Sequence, residues 1–398
     1  MSDLSNKDVF NQQGEELKGL NSPQNDELAT ANIIVAGITG SGKSTLINSV
    51  FGTDKARTGT GRPITEEVMD YSEPDSHVRI WDTVGLELDS EKTKKSIDAI
   101  RNKIAEMRNP HDKFSGIHAI WYCIQSTSNR YQGEELKFIK ELHSLGVPFI
   151  IVITKCIGDE DDELEKQIRK INIENGMTDI EVVQVLAKKY KTPLGPIPSF
   201  GLENLVNTTL DKLPQFIETS FIAAQKIDAS SKRTLSEKVI IDFVCNSIND
   251  PWDNMIIVNV FTSSVKTKKM FHKIGRIYNQ YIMADDLNGI IDLYKADMGP
   301  ISEALLNPFP TFKKKVDKIL QDKQQEEGFS KDSIKLEDSK RTAQLLAYYG
   351  YIFVKAVNDL WEEQVKNECE ELQIEIKALR RAISNYLKNG GVKPNGEQ

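Results

Sequence analysis

The chain is short of the residues that build cross-links and metal centres. Its four cysteines, Cys123, Cys156, Cys245 and Cys369, lie far apart and form no C-x-x-C pair, which argues against a disulfide framework and points to a reducing, cytoplasmic setting. Its five histidines, His77, His111, His118, His143 and His272, show neither H-x₃-H nor H-E-x-x-H spacing, so the pattern of a zinc site is missing. Positive charge is also in deficit. With Lys+Arg 51 against Asp+Glu 59 the net charge is −8, so no global basic field exists to hold nucleic acid by its phosphates. Long apolar runs are absent too. Residues 1–30 are polar and carry no secretory h-region, so they read as a flexible segment. The longest charge-free stretch of the C-terminal half, Thr342–Val354, has thirteen residues and is too short to span a bilayer. The expectation is a soluble protein, with peripheral membrane contact left open. The acidic run Asp159-Glu160-Asp161-Asp162-Glu163 lacks the glycine and ligand spacing of a calcium loop and reads as a solvated helix start.

Against these absences stands one dense motif. Gly37-Ile38-Thr39-Gly40-Ser41-Gly42-Lys43-Ser44 is a complete Walker A loop, placed directly after the apolar run Ile33-Ile34-Val35-Ala36. A helix is expected to follow, since Thr45-Leu46-Ile47-Asn48-Ser49-Val50-Phe51 carries apolar residues at helical spacing and ends at Gly52. In such a loop the glycines let backbone N–H groups turn toward phosphate, Lys43 reaches the β/γ oxygens and the Ser44 hydroxyl ligates Mg²⁺. The phosphate-binding set is therefore Thr39, Gly40, Ser41, Gly42, Lys43, Ser44 and Thr45. A second signature lies 39 residues after Lys43, where the strand His77-Val78-Arg79-Ile80-Trp81 ends in Asp82-Thr83-Val84-Gly85. Asp82 is placed to hold Mg²⁺ through its water shell, and Gly85 to turn its N–H onto a γ-phosphate. Between the two motifs, the polar and Gly-rich Ala56–Thr65 segment has the composition of a loop ordered by nucleotide, with Thr65 as the leading candidate to close over Mg²⁺ and Thr60 as its competitor.

From residue 31 to 214, β-rich runs alternate with helical ones, the pattern of a mostly parallel α/β sheet with helices on both faces. Strands are predicted at 32–37, 68–71, 77–81, 119–125, 149–154 and 181–186, and helices at 43–51, 91–107, 133–145, 160–174 and 202–213. Residues 190–201, with three prolines and two glycines, read as a loop. After Pro214 the strand signals stop, and residues 215–398 read as an all-helical domain in which 322–328 and 330–341 form a charged connection. Val365, Cys369, Leu372, Ile376, Leu379, Ile383 and Leu387 approximate a heptad repeat, open to packing on its own domain, to self-association or to lying on a membrane.

The run Thr39–Asn48 resembles P-loop GTPases of the translation-factor class, especially their HSR1-related, septin-like and immunity-related branches; the resemblance covers residues 31 to about 213. It implies a G domain that binds GTP and GDP with Mg²⁺. It also implies a base-recognition motif [NT]-K-x-D, met here by Thr154-Lys155-Cys156-Ile157. Thr154 and Lys155 match, Ile157 stands where the family has an aspartate that reads guanine, and Asp159 is the nearest substitute. Ala187 and Lys188 resemble the element that faces the guanine O6, and Phe200–Leu205 the start of the last G-domain helix. For hydrolysis the resemblance assigns Lys43 and Thr65, but Leu86 stands where Ras-like enzymes carry a water-positioning Gln, and Gly40 where potassium-recruiting relatives carry Asn. Slow intrinsic turnover and help from a homodimer or partner protein are implied. Arg57, Arg62 and Glu66 either act across such a dimer or solvate a loop. A non-hydrolysing scaffold and a dynamin-like membrane-remodelling GTPase are the competing readings.

Overall fold

The computed structural model describes residues 29–52, 62–63, 68–70, 77–83, 90–109, 115–127, 131, 133–158, 160–193, 195–248, 256–296, 306, 309–325, 333–367 and 372–389. The chain divides into two units, one formed by Leu28–Asp228 and the other holding Ala229–Gln398.

The first unit is built on a seven-stranded sheet of order β2-β3-β4-β1-β5-β6-β7. β1 (Ala31–Gly37), β4 (Val78–Thr83), β5 (Ala119–Gln125), β6 (Phe149–Thr154) and β7 (Glu181–Val185) pair in parallel. β2 (Arg62–Pro63) and β3 (Val68–Asp70) add an antiparallel edge. The central strands are buried along almost their whole length because both of their faces are covered. Successive residues of β1 serve opposite layers. Ile33 and Val35 pack with Leu46, Ile47 and Val50 of α1 (Lys43–Phe51) and with Leu205 and Val206 of α5 (Leu202–Lys212). Ile34 and Ala36 face Ile97 and Ile100 of α2 (Ser90–Met107), Ile139 and Leu142 of α3 (Glu134–His143) and Ile168 of α4 (Glu160–Glu174).

Two sequence expectations for this unit need correction. The boundary set at residue 214 moves to 228, because α6 (Gln215–Ala224) packs on β1 and β4. Pro214 opens that helix rather than a new domain, as a proline at a helix start readily does. Ile217 and Phe221, four residues apart, bury their side chains under the sheet, and Phe221 meets Phe51 and Trp121 edge-on at 5.8 and 6.3 Å. Burying two such side chains stabilises the attachment by about 4 kcal/mol. Within 190–201, read as a loop, lies a hairpin of β8 (Tyr190–Thr192) and β9 (Gly195–Ile197).

The second unit contains, among the described residues, the helices α7 (Ala229–Ile248), α8 (Ile256–Ile277), α9 (Ala284–Ala296), α10 (Pro310–Gln325), α11 (Ser333–Lys366) and α12 (Ile376–Lys388) around one apolar core. α11 starts at Ser333, so the later part of the charged stretch 330–341 is helix rather than connection. The heptad-like run from Val365 to Leu387 is not one helix. It breaks after Lys366, and Gln280 secures the break: its Nε2 donates to Leu372 O at 2.6 Å and its Oε1 accepts from Ile374 N at 2.7 Å. Leu379, Ile383 and Leu387 are buried within this unit's own core.

Candidate nucleotide-binding site

β1 lies between β4 and β5, where the strand order reverses, and the crevice outside the carboxyl ends of such strands is where open α/β sheets bind ligands. The Walker loop sits there. Gly40 and Gly42 have φ of 82° and 91°, which side chains disfavour. A Cβ on Gly37 would stand 2.4 Å from the carbonyl oxygen of Cys123, so only glycine lets β1 leave the sheet beside β5. α1 begins without a side-chain cap and without an acidic residue in its first turn, which leaves its N–H groups and positive dipole end to an anion. Thr39, Gly40, Ser44 and Thr45 are exposed on this end of the loop.

Two opposite charges are buried behind it. Lys43, 8% exposed, donates from Nζ to Gly37 O at 2.8 Å and to Ile38 O at 3.3 Å, closing the loop on itself. Asp82, 7% exposed at the end of β4, has Oδ1 buried with no hydrogen-bond partner. Burial pushes its carboxyl up to about 6 even though the Lys43 charge opposes the shift. Ser41 Oγ is likewise buried and unpartnered. An orphaned carboxylate oxygen, a seated lysine and a glycine cradle fit a phosphate chain with a divalent cation. The neighbouring Cys123 thiol is pushed up to about 12 by burial, so it is no nucleophile at neutral pH.

β6 and β7 end beside the loop and are tied to it. Thr154 Oγ1 donates to Ser41 O at 2.5 Å, and Lys155 Nζ donates to Gly40 O at 2.7 Å and to Gln125 Oε1 at 3.1 Å. Lys155 holds a left-handed φ of 59°. Ser49 Oγ of α1 donates to Ala187 O at 3.0 Å, fixing the turn that leads to the exposed Lys188. The sequence reading missed Asp161. It is buried, and its Oδ2 accepts from Ile157 N at 2.7 Å and Gly158 N at 3.0 Å. A carboxylate just inside a helix start and four residues after an exposed loop residue was the available signal, masked by the other acids of the run. Thr60, Thr65, Gly85, Leu86, Asp159, Arg57 and Glu66 lie outside the described residues. The structure therefore brings together Thr39 to Thr45, Asp82, Thr154, Lys155, Ala187 and Lys188.

A parallel sheet with a Walker loop at its switch point and an acidic residue at the end of the neighbouring strand defines a P-loop nucleotide-binding domain. Residues 32–155 match the sequence model of the family described as 50S ribosome-binding GTPase. A 63-residue stretch is 40% identical to GTPase Der of Bartonella bacilliformis, covering 15% of this chain and only 13% of that protein's length. Among solved structures, a probable GTP-binding protein EngB is similar over 47% of this chain and 98% of its own, at 19% identity and a TM-score of 0.33. Translation elongation factor SelB from Methanococcus maripaludis, in complex with the GTP analogue GppNHp, is similar over 47% of this chain and 35% of its own, at 18% identity and a TM-score of 0.29. Among the described residues no helix is long and apolar enough to cross a membrane.

Proposed function

We propose that this protein binds GTP and GDP with Mg²⁺, hydrolyses GTP slowly, and works as a nucleotide-dependent switch whose turnover is raised by a second copy or by another protein. The observation that carries this reading is the unpartnered Asp82 oxygen buried beside a lysine already seated in a glycine cradle. Ser44, Asp82 and Thr65 are the residues that would hold Mg²⁺, which when bound neutralises phosphate charge. Lys43 exchanges its two carbonyl partners for phosphate oxygens, and the open N–H groups of α1 face the same anion. In the hydrolysis, a bond forms from water oxygen to the γ-phosphorus, the bond from that phosphorus to the β–γ bridging oxygen breaks, its electron pair stays with GDP, and both water protons end on the phosphate product. Leu86 has no polar atom to orient that water, hence the low intrinsic rate and the need for a group from elsewhere.

The test is a titration of the full chain with fluorescent GTP, GDP and ATP analogues in Mg²⁺, with Lys43→Ala as the blank, followed by phosphate release at rising protein concentration. Guanine-selective binding lost in the variant, with release per protomer rising with concentration, is the expected result. Equal binding of the ATP analogue, or none of any analogue, overturns it. Tight binding with no release at any concentration overturns hydrolysis in favour of a nucleotide-stabilised scaffold.

A further inference from the structure

Gly289 stands in the middle of α9, where a glycine weakens a helix relative to alanine. Its use is steric. A Cβ there would overlap Nη2 and Cζ of Arg380, on α12, and would stand 2.9 Å from its Nε. Helix α9 thus gives up a side chain so that a guanidinium can lie against its backbone. That guanidinium goes unanswered. Its Nε is buried and meets no hydrogen-bond acceptor. Among the described residues no carboxylate pairs with it, although Asp285, Asp286 and Asp292 of α9 stand about one turn from Gly289. An arginine cannot shed its charge, so a half-buried one without an acceptor is held at a cost unless the acceptor comes from outside.

The rest of α12 supplies its surroundings. Leu379, Ile383, Tyr386 and Leu387 turn into the core of the helical unit, which leaves Lys377, Arg381, Ser384 and Lys388 in one row on the opposite face, with Arg380 on the flank of that row toward α9. Lys377, Arg381 and Lys388 are exposed, and α12 contains no acidic residue. Lys377 and Ser384 lie about 5 and 6 Å along the axis from Arg380, one turn before it and one after, so a single small anion can be met by all three. The acids of α9 keep this groove from being a broad basic field; what it offers is seated donors. Two cations and a hydroxyl suit a group with several oxygens and two negative charges, whereas a carboxylate would leave a donor idle.

We propose that the groove between α9 and α12 binds a phosphate monoester, with Arg380 as the central donor and Lys377, Arg381 and Ser384 around it. Such a group comes from a soluble phosphorylated compound or from a lipid headgroup, and the chemistry that recognises it is the same.

The test uses the full chain carrying Lys43→Ala, so that phosphate at the Walker loop does not mask this second site. It is titrated with inorganic phosphate by calorimetry and sedimented with phosphatidylcholine vesicles containing phosphatidic acid. A dissociation constant on the order of 1 mM is expected for phosphate, the scale of a few charged hydrogen bonds offset by the cost of association. Adding Arg380→Ala is expected to weaken binding about tenfold or more, Arg381→Ala about threefold, and Arg380→Lys, which keeps the charge but not the fork, by a factor between them. Gly289→Ala is the sharper variant, because alanine favours the helix and every charge remains, yet its methyl group dislodges the guanidinium; it is expected to weaken binding as much as Arg380→Ala does. Vesicle binding lost in these variants names a lipid headgroup as the source, and phosphate binding without vesicle binding names a soluble compound. No binding of either probe overturns the proposal. Equal binding with and without Gly289→Ala overturns it too, since charge without a seat would then suffice.

Discussion

Asp82 in the nucleotide unit and Lys232 in the helical unit are both buried charges, and they differ in whether the chain itself answers them. Lys232, 1% exposed, donates from Nζ to Ile277 O at 2.7 Å and lies over the rings of Trp361 and Tyr278 at 5.3 and 5.8 Å. It is a fastening between helices. Asp82 has an oxygen that no described residue meets, at the carboxyl edge of a sheet and beside a loop that only glycine can follow. Burial alone therefore does not mark a site; an unanswered atom beside an open cradle does. Glu135 refines the contrast. It too has an unpartnered buried oxygen, but Tyr122 donates to the other at 3.1 Å and burial pushes its carboxyl up to about 7. At neutral pH a large share of Glu135 still carries its proton, whereas Asp82 is mostly ionised there.

Separating the two kinds of buried charge is an experiment in double dissociation. Lys43→Ala is expected to weaken GDP binding by about three orders of magnitude, or roughly 4 kcal/mol, while costing the ligand-free protein less stability than Lys232→Ala does. Lys232→Ala is expected to do the reverse, lowering the stability of the helical unit by about 3–4 kcal/mol in chemical denaturation with GDP affinity unaltered. A shared phenotype in these two variants would break the distinction. Glu135 and Asp82 are to be compared by their pH profiles. Because both carboxyls are raised in the folded state, each lowers stability as pH climbs from its unfolded value, about 4.5 or 3.8, to about 7 or 6. Glu135→Gln is expected to remove a loss of at most about 3 kcal/mol across that window without touching binding. Asp82→Asn is expected to remove a similar loss at lower pH, and also to abolish the Mg²⁺ dependence of GDP binding. The smallest effect expected is that of Tyr278→Phe, which deletes the 3.0 Å bond to Asn358 Oδ1 and costs about 1 kcal/mol in unfolding free energy, with no change at the nucleotide.

How far the sequence could be read follows from which residues act through local backbone. Gly37 to Ser44 dictate a loop by their own conformational needs, so the shape and place of the glycine loop were legible in the sequence, as was the place of Asp82 at a strand end. The loop after β6 was legible only in part, because Asp161 acts on backbone groups three and four residues away and looks no different in sequence from Asp162 or Glu163. The attachment of α6 was hidden because its partners, Phe51 and Trp121, come from distant stretches. Likewise, the apolar spacing from Val365 to Leu387 carries no trace of Gln280, some ninety residues earlier, whose side chain holds the break open. Periodicity reports what faces a core. It is silent on a polar group that interrupts the helix facing it.

One further contact has a mechanical meaning. The carbonyl of Val50, near the far end of α1, accepts from Lys226 N at 2.8 Å, and the next residues are knotted by Gln225, whose Oε1 accepts from Ile227 N and Asp228 N at 2.6 and 2.7 Å. α1 is thus a rod of nine residues, about 13 Å long, with the phosphate cradle at one end and the chain departing for Ala229 clamped to the other. A hydrogen-bonded helix of that length is too stiff to absorb an axial shift, so a displacement at the glycine loop travels to residue 226 as a push rather than fading along the way.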